Sequence, residues 1–537
     1  MHRHRSPMLH SFGDGARSRI VAVSMTKRNV QLDSEEGVPV FLLRELLHEA
    51  GYDPDLCPSP LDRLITGVTD NSRRVLPGNI FVAIQGSRAD GHLFLSDAVE
   101  CGAAALIVER EIPAYPGVLI ICVPDTRDAL ALLAHAYYGN PSRDKLLIGV
   151  TGTNGKTTTT YILRSCLQAA GIPTGLIGTI QNDVGDGIVK AQNTTPSALS
   201  LARMFARMGQ NGLRGAVMEV SSHAIQQKRI LGSEFKAGVF TNLTQDHLDY
   251  HGTMEAYREA KWRFFEDYIA HNSGVAAFNM EDETGRMFAG MFKGEQATYG
   301  MRDGVDVRPE RCQLSPRGMR IVLNLRGEQR EIRTGLVGRF NVMNILAASA
   351  GALAAGIPPD AIAEGISRMK PIPGRFELVD QGQPFSVIVD YAHTPDALAR
   401  ILSSALDFSP RRIITVFGCG GDRDRNKRPL MAMAVGQSMQ RNEEDYAIIT
   451  NDNPRSEDPA EIARQAESGL LRLRITNMRY DIILDRREAI RRALSLAGEG
   501  DIVIIAGKGH EDYQIIGGNT LHFDDREVAR EILAEMG

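Results

Sequence analysis

A chain of 537 residues exceeds what one hydrophobic core fills, so three or four domains are expected. With 43% hydrophobic and 24% charged residues it is neither fibrous nor disordered, and 61 Lys plus Arg against 66 Asp plus Glu, a formal net charge of -5, leaves no global basic field for a nucleic-acid backbone. An anionic small substrate therefore has to find local basic residues. The six cysteines (Cys57, Cys101, Cys122, Cys166, Cys312, Cys419) form no CxxC pair, which argues against a zinc site and a disulfide framework and fits a reducing cytoplasm. No apolar run approaches the roughly 18 residues of a membrane span, and no signal-peptide stretch is expected at the N-terminus.

In chain order, residues 1–38 mix Arg, His, Ser and Gly around a short apolar patch and read as a flexible tail, with Met25 an alternative start. Residues 39–145 alternate strands and helical segments (IFVAI at 80–84, the amphipathic FLSDAVECGA, then ALIVE and VLIICV), the pattern of a small α/β domain. A second domain, 146–372, opens on LLIGV and repeats strand, loop and helix through GAVMEV and GVFTNL, which predicts a mostly parallel sheet. The stretch PIPGRFE at 371–377 places two prolines and a glycine between periodic segments and reads as a linker or hinge. The third domain, 373–537, carries the strands SVIVDY, RIITVFG, YAIITND and DIVIIAG of a Rossmann-like unit, at whose strand ends ligands usually sit.

The strongest local signal is LLIGVTGTNGKTTTTYILRSCLQAAG, a buried strand running into a glycine-rich turn and then an amphipathic helix starting near Lys156. Gly152 and Gly155 let backbone amides approach phosphate oxygens, the helix N-terminus adds partial positive charge, Lys156 reaches the terminal phosphates, and Thr157 is placed to hold Mg²⁺. The general pattern GxxxxGK[ST] would begin with glycine where this chain has Val150, so the loop is a variant of it. A phosphate loop alone does not separate a ligase from a motor, a kinase or a nucleotide switch.

Further strings narrow the choice. TGTNGKTTT, NTTP at 193–196, MEVSSH at 218–223, TNLTQDHLDYHG at 241–252 and AYREAKWRFF at 256–265 are followed by LVGRFNVMNILAA at 336–348 and PGRFE at 373–377. VDYAHTP at 389–395, GCGGDRDRNKRP at 418–429, DNPR at 452–455 and GKGHEDYQ at 507–514 complete the series. In order and spacing this set resembles the Mur ligase family over about residues 60–530, and most of all its tripeptide-synthetase branch.

The resemblance implies a three-domain α/β architecture: an N-terminal domain for a UDP-linked substrate, a central P-loop ATPase domain and a Rossmann-like C-terminal domain. It implies ATP-dependent amide formation through an acyl phosphate, with Mg²⁺, in the cytoplasm, by a monomer that neither binds nucleic acid nor enters a membrane. The implied substrates are UDP-MurNAc-L-Ala-D-Glu and meso-diaminopimelate, in peptidoglycan synthesis and hence cell-wall biogenesis, cell shape and division.

Carried over residue by residue, the resemblance makes Lys156, Glu219, His247 and Lys261 catalytic. Thr157, Glu219, His247 and a carbamylated Lys261 would hold metal, although a loop histidine and a helical lysine are, taken alone, ordinary structural and surface residues. The nucleotide would be held by Gly152, Thr153, Asn154, Gly155, Lys156, Thr157 and Thr158, with Asn344 at adenine, Arg375 at phosphate and Asp390 at ribose. Asn193, Thr194, Thr195, Ser221, Gln227 and Arg229 would contact the UDP-MurNAc-dipeptide, with Arg229 supplying local positive charge. In the first domain TDNSR at 69–73 and GSRADG at 86–91 correspond to uridine and pyrophosphate contacts, Ser72 the clearest. Here the chain departs from the family pattern: Asp70 stands where leucine is often found, and Ser87, Arg88 and Ala89 belong to a variable loop.

Diaminopimelate and lysine differ by one terminal carboxylate, which a guanidinium grips with two parallel hydrogen bonds. DNPR resembles the diaminopimelate-specific form, with Asp452, Asn453, Pro454 and Arg455 joined by Arg423, Gly507 and Glu511. Read as residues alone, DNPR is also a sequence of turn formers. The alternatives are a lysine-adding relative, a folylpolyglutamate-synthetase-like ligase, or, from another class, a P-loop nucleotide switch.

Overall fold

The computed structural model describes residues 39–54, 61–86, 89–315 and 318–536. The expected N-terminal tail, Cys57, and Ser87 with Arg88 lie outside these residues. Two compact units are found, one of residues up to Asn140 together with Ala198–Arg203, the other of Pro141–Ser197 and Met204 onward.

In the first unit four parallel strands, Gly67–Thr69, Asn79–Val82, Ala105–Val108 and Leu119–Cys122, lie side by side in chain order. Alternate residues serve two cores: Ile80, Val82 and Ile107 pack with Leu43, Leu46 and Leu133. Phe81, Leu106 and Val108 join Leu95 and Ala98. A sheet buried on both faces needs continuous apolar strands, and this is why IFVAI and ALIVE are readable from sequence. The helix Thr126–Tyr137 starts at Asp125, whose carboxylate accepts from the backbone N–H of Arg127 at 2.7 Å and Asp128 at 3.2 Å.

The second unit holds two large sheets. In the 11-stranded one, the strands Thr174–Ile177, Gly215–Glu219, Leu146–Thr151, Ala237–Phe240, Val275–Asn279, Gln296–Tyr299 and Val307–Ser315 run parallel in that spatial order. Antiparallel strands extend it at both edges: Gln181–Asp183 and Ile188–Lys190 on one side, Gly318–Leu325 and Glu328–Thr334 on the other. The parallel part is the one predicted. Its core joins Ile148 and Val150 to Ile162, Leu163 and Cys166 of the helix Lys156–Ala169 and to Ile345 and Leu346 of the helix Arg339–Ala354. Small residues let this last helix approach closely, since a Cβ at Gly351 would lie 2.5 Å from Val239 Cγ2.

The six-stranded sheet has the order Glu377–Val379, Ser386–Asp390, Ile502–Ala506, Ile413–Cys419, Tyr446–Asn451, Tyr480–Ile482, parallel except for its first strand. Ile388, Ile413 and Ile449 face one core, Val387, Ile414 and Ile448 the other. Asp390, Cys419, Asn451 and Ala506 end their strands at the same sheet edge, where the strings YAH, GGDR, DNPR and GKGHE follow. Among the described residues no helix is long and apolar enough to cross a membrane, and the five described cysteines are free.

Burial of neutral imidazoles makes stability depend on pH. Burial pushes His135 down to about 4 from an ordinary 6.5, and burial with nearby Arg375 pushes His510 down to about 3. With folded pKa values below the unfolded one, the unfolded chain takes up protons first. The stabilisation is complete above about pH 6.5 and is lost as pH falls towards 4, by up to ~1.4 kcal/mol per pH unit and group. Urea midpoints are expected to be level from pH 8 to 6.5 and to fall between 6.5 and 4.5, less steeply in His135→Gln. A level profile down to 4.5 would refute this.

Candidate active site

The strand Leu146–Thr151 delivers the chain into the loop Gly152–Gly155 and directly into the helix Lys156–Ala169, as predicted. Gly152 has φ +147, and a Cβ there would fall 1.8 Å from Thr241 Oγ1; at Gly155, φ +85, it would meet Asn344 Oδ1 at 2.4 Å. Both loop glycines are thus required by close approach as well as by backbone conformation. Lys156 Nζ donates to the carbonyls of Gly152 (2.9 Å) and Thr153 (2.8 Å). The loop is tied to its neighbours: the Asn154 N–H donates to Asn242 Oδ1 at 2.9 Å, and Asn154 Nδ2 to Asp396 Oδ2 at 2.8 Å. Thr153 Oγ1 lies 3.2 Å from Tyr257 Oη, and Thr158 is buried in the helix.

Glu219 ends the strand beside the loop and is 1% exposed. Its carboxylate accepts from Thr157 Oγ1 at 3.0 Å, from the Thr179 N–H at 2.8 Å and from Thr179 Oγ1 at 3.0 Å. Among the described residues no Lys, Arg or His is within ion-pair distance of it. A buried carboxylate hydrogen-bonded only by neutral donors suits a hard divalent cation completed by phosphate oxygens and water. Among the described residues no three His, Cys, Asp or Glu side chains converge into a ready-made cage, and of the four residues expected at metal Thr157 and Glu219 are in direct hydrogen-bond contact.

Lys261, on the helix Met254–Arg263, is 1% exposed and so is not the surface lysine its helical context alone suggests. Its Nζ donates to the same Gly152 carbonyl as Lys156, also at 2.9 Å, and lies 4.6 Å from the centre of the Tyr257 ring. Burial, and then the charge of Lys156, hold the Lys261 ammonium well below its usual range. His247 begins a short helix at φ +54, with its ring 4.9 Å from that of His223 and 6.1 Å from that of Tyr257. Burial pushes it down to about 4 against the pull of Asp246, leaving a neutral imidazole with a lone pair to donate.

Arg375 Nη2 donates to Thr157 Oγ1 at 3.0 Å across 218 residues of sequence, its guanidinium 4.7 Å from the centre of the Tyr391 ring. Asn344 Nδ2 donates to Asn341 Oδ1 at 2.8 Å. Asp390 Oδ2 accepts from the Phe376 N–H and Oδ1 from the Ala392 N–H, both at 2.7 Å, so this carboxylate braces the PGRFE segment against its strand. Gly374 in that segment approaches the KGH loop so closely that a Cβ would lie 2.0 Å from the His510 nitrogen.

The residues predicted for the anionic substrate are brought together. Thr195 Oγ1 donates to the Glu219 carbonyl at 2.8 Å and accepts from the Ser221 N–H at 3.0 Å, while Ser221 caps the helix Ser222–Gln226. Arg229 Nη1 donates to the Thr195 carbonyl at 2.9 Å and Nη2 to Gln227 Oε1 at 2.7 Å. Thr194 Oγ1 accepts from Thr179 at 3.1 Å, linking this cluster to Glu219, and Asn193 is exposed beside it. Ser72, in the first unit, is buried at the start of a short 3-10 helix behind Asn71.

At the sheet edge, Asn453 Nδ2 donates to Glu511 Oε2 at 3.0 Å, and Asn453 Oδ1 accepts from the Ile515 N–H at 2.9 Å. Arg455 sits at φ +53, its Nη1 donating to the Gly421 carbonyl at 2.6 Å, and Pro454 is buried before it. Burial pushes Glu511 up, and Asp452 pushes it further. Burial also acts to raise Asp452, but Lys508, Arg486, His393 and Arg455 outweigh it and hold that carboxyl low. Lys508 was not singled out by sequence reasoning; it is fully buried, with Nζ 3.3 Å from Asn453 Oδ1 and 3.4 Å from Glu511 Oε2. Its place between Gly507 and Glu511 in GKGHE was the available signal.

One cavity of about 720 Å³ is lined by Asn193 and Thr194, by His223 and His247, and by Arg423, Asp452, Asn453, Arg455, Gly507 and Glu511. Its lining does not include Lys156 or Asn344. A phosphate loop, a buried acid at its threonine and a polar cavity ringed by cations and carboxylates define a nucleotide-driven enzyme acting on charged substrates.

Family models match throughout: the Mur ligase family catalytic domain at residues 64–138, the Mur ligase middle domain at 150–352, and the Mur ligase glutamate ligase domain at 374–509. The chain belongs to the Mur ligase family. It is 46% identical to the UDP-N-acetylmuramoyl-L-alanyl-D-glutamate--2,6-diaminopimelate ligase of Geobacillus thermodenitrificans (strain NG80-2), over 90% of this chain and 96% of that protein. With the ligase of the same name from Solibacter usitatus (strain Ellin6076) it shares 45% identity over 92% of this chain and 99% of the relative. A solved structure of a ligase of that name superposes with a TM-score of 0.66 at 31% identity, covering 93% of this chain and 99% of that one.

Proposed function

We propose that this protein joins meso-diaminopimelate to UDP-MurNAc-L-Ala-D-Glu at the expense of ATP, giving the UDP-MurNAc-tripeptide, ADP and phosphate in the cytoplasm. The observation that carries this reading is that one cavity is lined together by Asn193, Thr194, His247, Asp452, Asn453, Arg455, Gly507 and Glu511. The boundaries 39–145, 146–372 and 373–537 are the corresponding domains, with Ser72 helping to hold the uridine end and PIPGRFE as the hinge. The protein acts as a monomer.

The substrate carboxylate attacks the γ-phosphorus of ATP, the bond to the β-phosphate oxygen breaks, and ADP leaves. The amine then attacks the acyl carbon; the C–N bond forms, the C–O bond to phosphate breaks, and the nitrogen loses its proton to water. The chain's task is to align anions and compensate their charge. Lys156 and Arg375 face the phosphates, the loop amides support them, and Arg229 organises the dipeptide arm through Thr195 and Gln227. Mg²⁺, held by Thr157 and Glu219 with His247 and a carbamylated Lys261 as further ligands, would neutralise the transferring phosphoryl group. Asp452 and Glu511, with Asn453 between them, suit the ammonium end of the amino acid, and Arg455 and Arg423 its distal carboxylate.

Phosphate release with ATP, Mg²⁺ and UDP-MurNAc-L-Ala-D-Glu is expected with meso-diaminopimelate and not with L-lysine. Arg455→Ala should raise the KM for diaminopimelate about a hundredfold, the effect of losing a bidentate charged contact of ~3 kcal/mol, with the KM for ATP nearly unchanged. Release with lysine alone, or equal loss of both affinities in the variant, would overturn the carboxylate clamp.

A further inference from the structure

Behind the amine site lies a charged pair that no step above uses. Arg486 is 1% exposed and Asp525 fully buried, and each is the first residue of a helix, Arg486–Leu496 and Asp525–Met536. Arg486 Nε donates to Asp525 Oδ1 and Nη2 to Oδ2, both at 2.7 Å, a two-pronged pair. The remaining donors reach backbone: Nη2 to the Ala506 carbonyl at 2.9 Å and Nη1 to the Asn451 carbonyl at 3.1 Å. These carbonyls close two strands that are not neighbours, since Ile413–Cys419 lies between them in the sheet. No ladder hydrogen bond therefore fixes one end against the other. The next residues are Asp452 and Gly507, and they meet so closely that a Cβ on Gly507 would lie 2.7 Å from Asp452 Oδ2.

We propose that Arg486, locked by Asp525, is a positioning residue for the amine: it ties together the ends of two strands that are not paired with each other and so sets Asp452 against Gly507 at the diaminopimelate subsite. This rests on the assignment of that subsite above. A buried ion pair adds little net stability over apolar side chains of similar size, because desolvation offsets its attraction. Stability alone is thus a weak reason for this pair, whereas the fixed fork of a guanidinium is suited to hold two carbonyls and a carboxylate in one geometry.

Two variants test it. Arg486→Lys keeps the charge but lacks the fork, and the double variant Arg486→Met with Asp525→Leu removes both charges and leaves no buried ion unpaired. In both, the KM for diaminopimelate is expected to rise at least about tenfold, the scale of a subsite displaced by a fraction of an ångström. The KM values for ATP and UDP-MurNAc-L-Ala-D-Glu should stay within about twofold, and the melting temperature of the double variant near that of the parent. An unchanged KM for diaminopimelate in folded protein, a parallel rise of all three KM values, or failure of both variants to fold would overturn it. Arg455→Ala, measured alongside, separates the two levels. If it too leaves the diaminopimelate KM unchanged, the subsite assignment has failed; if it raises that KM while the Arg486 variants do not, only the positioning role has.

Discussion

Lys156→Ala is expected to lower kcat about a thousandfold, ~4 kcal/mol of transition-state stabilisation, with the fold retained. Among the described residues Lys156 Nζ is hydrogen-bonded only to loop carbonyls, Gly152 O at 2.9 Å and Thr153 O at 2.8 Å, so its removal breaks no hydrogen bond between distant elements there. The other anchors of the loop remain, among them Asn154 to Asn242 and to Asp396. Burial presses its pKa down, while Glu219 and Asp246 pull it back towards the charged form. Negative charge brought in by a nucleotide adds to that pull, so the cation is strongest where phosphoryl charge develops. Steady-state phosphate release and the melting temperature, measured together, check this. A folded variant with more than a tenth of the parental kcat would show that the loop amides suffice without it.

Stripping CO₂ from the enzyme is expected to cost about as much, and Lys261→Ala to be equally inactive with or without CO₂. Lys156 and Lys261 donate to one carbonyl oxygen, that of Gly152, each at 2.9 Å. Burial disfavours the Lys261 ammonium, and repulsion from the Lys156 ammonium so placed adds to the cost, so Lys261 is the one driven towards its neutral amine. A neutral amine is the form that attacks CO₂: the N–C bond forms, the nitrogen loses a proton, and a carbamate anion replaces the second cation. Repulsion with Lys156 becomes attraction, and a hard oxygen donor for Mg²⁺ appears. Activity after exhaustive degassing, its recovery on adding bicarbonate, and a mass increase of one CO₂ on the peptide containing Lys261 are the measurements. Full activity in CO₂-free buffer would sink the carbamate and leave Lys261 a buried amine against Tyr257.

Part of this site was legible because its information is local. The strand, loop and helix from Leu146 to Ala169 follow from an apolar run, two glycines and an amphipathic segment, and the chemistry proposed for them rests on Lys156 and Thr157. The strands ending at Asp390, Asn451 and Ala506 were legible for the same reason, as buried parallel strands must be apolar throughout. The antiparallel arm Val307–Ser315, Gly318–Leu325 and Glu328–Thr334 was not anticipated. Its first and last strands are largely exposed and charged, and only the middle strand carries an apolar alternation, Ile321, Leu323 and Leu325, that reaches the core. Lys508 and Arg486 were passed over because a lysine or arginine in a polar string reads as solvated, and only burial against named partners makes it otherwise.

The sequence by itself determined a phosphate-binding strand, loop and helix and the Mur ligase family, and it singled out Lys156, Thr157 and Arg455 as the residues proposed to meet the phosphates and the amine. The tertiary structure decided what meets what. Asn193, His247, Arg423, Asp452 and Glu511 come from separate loops and line one cavity only because the strand order of two sheets brings those loops to one place. The same holds for Arg375 on Thr157 and for two lysines sharing the Gly152 carbonyl. The physical reason is range: propensity and periodicity act over a few residues, whereas a pKa, a hydrogen bond across 218 residues, or a carboxylate buried with only neutral hydrogen-bond donors exists only once the chain has packed.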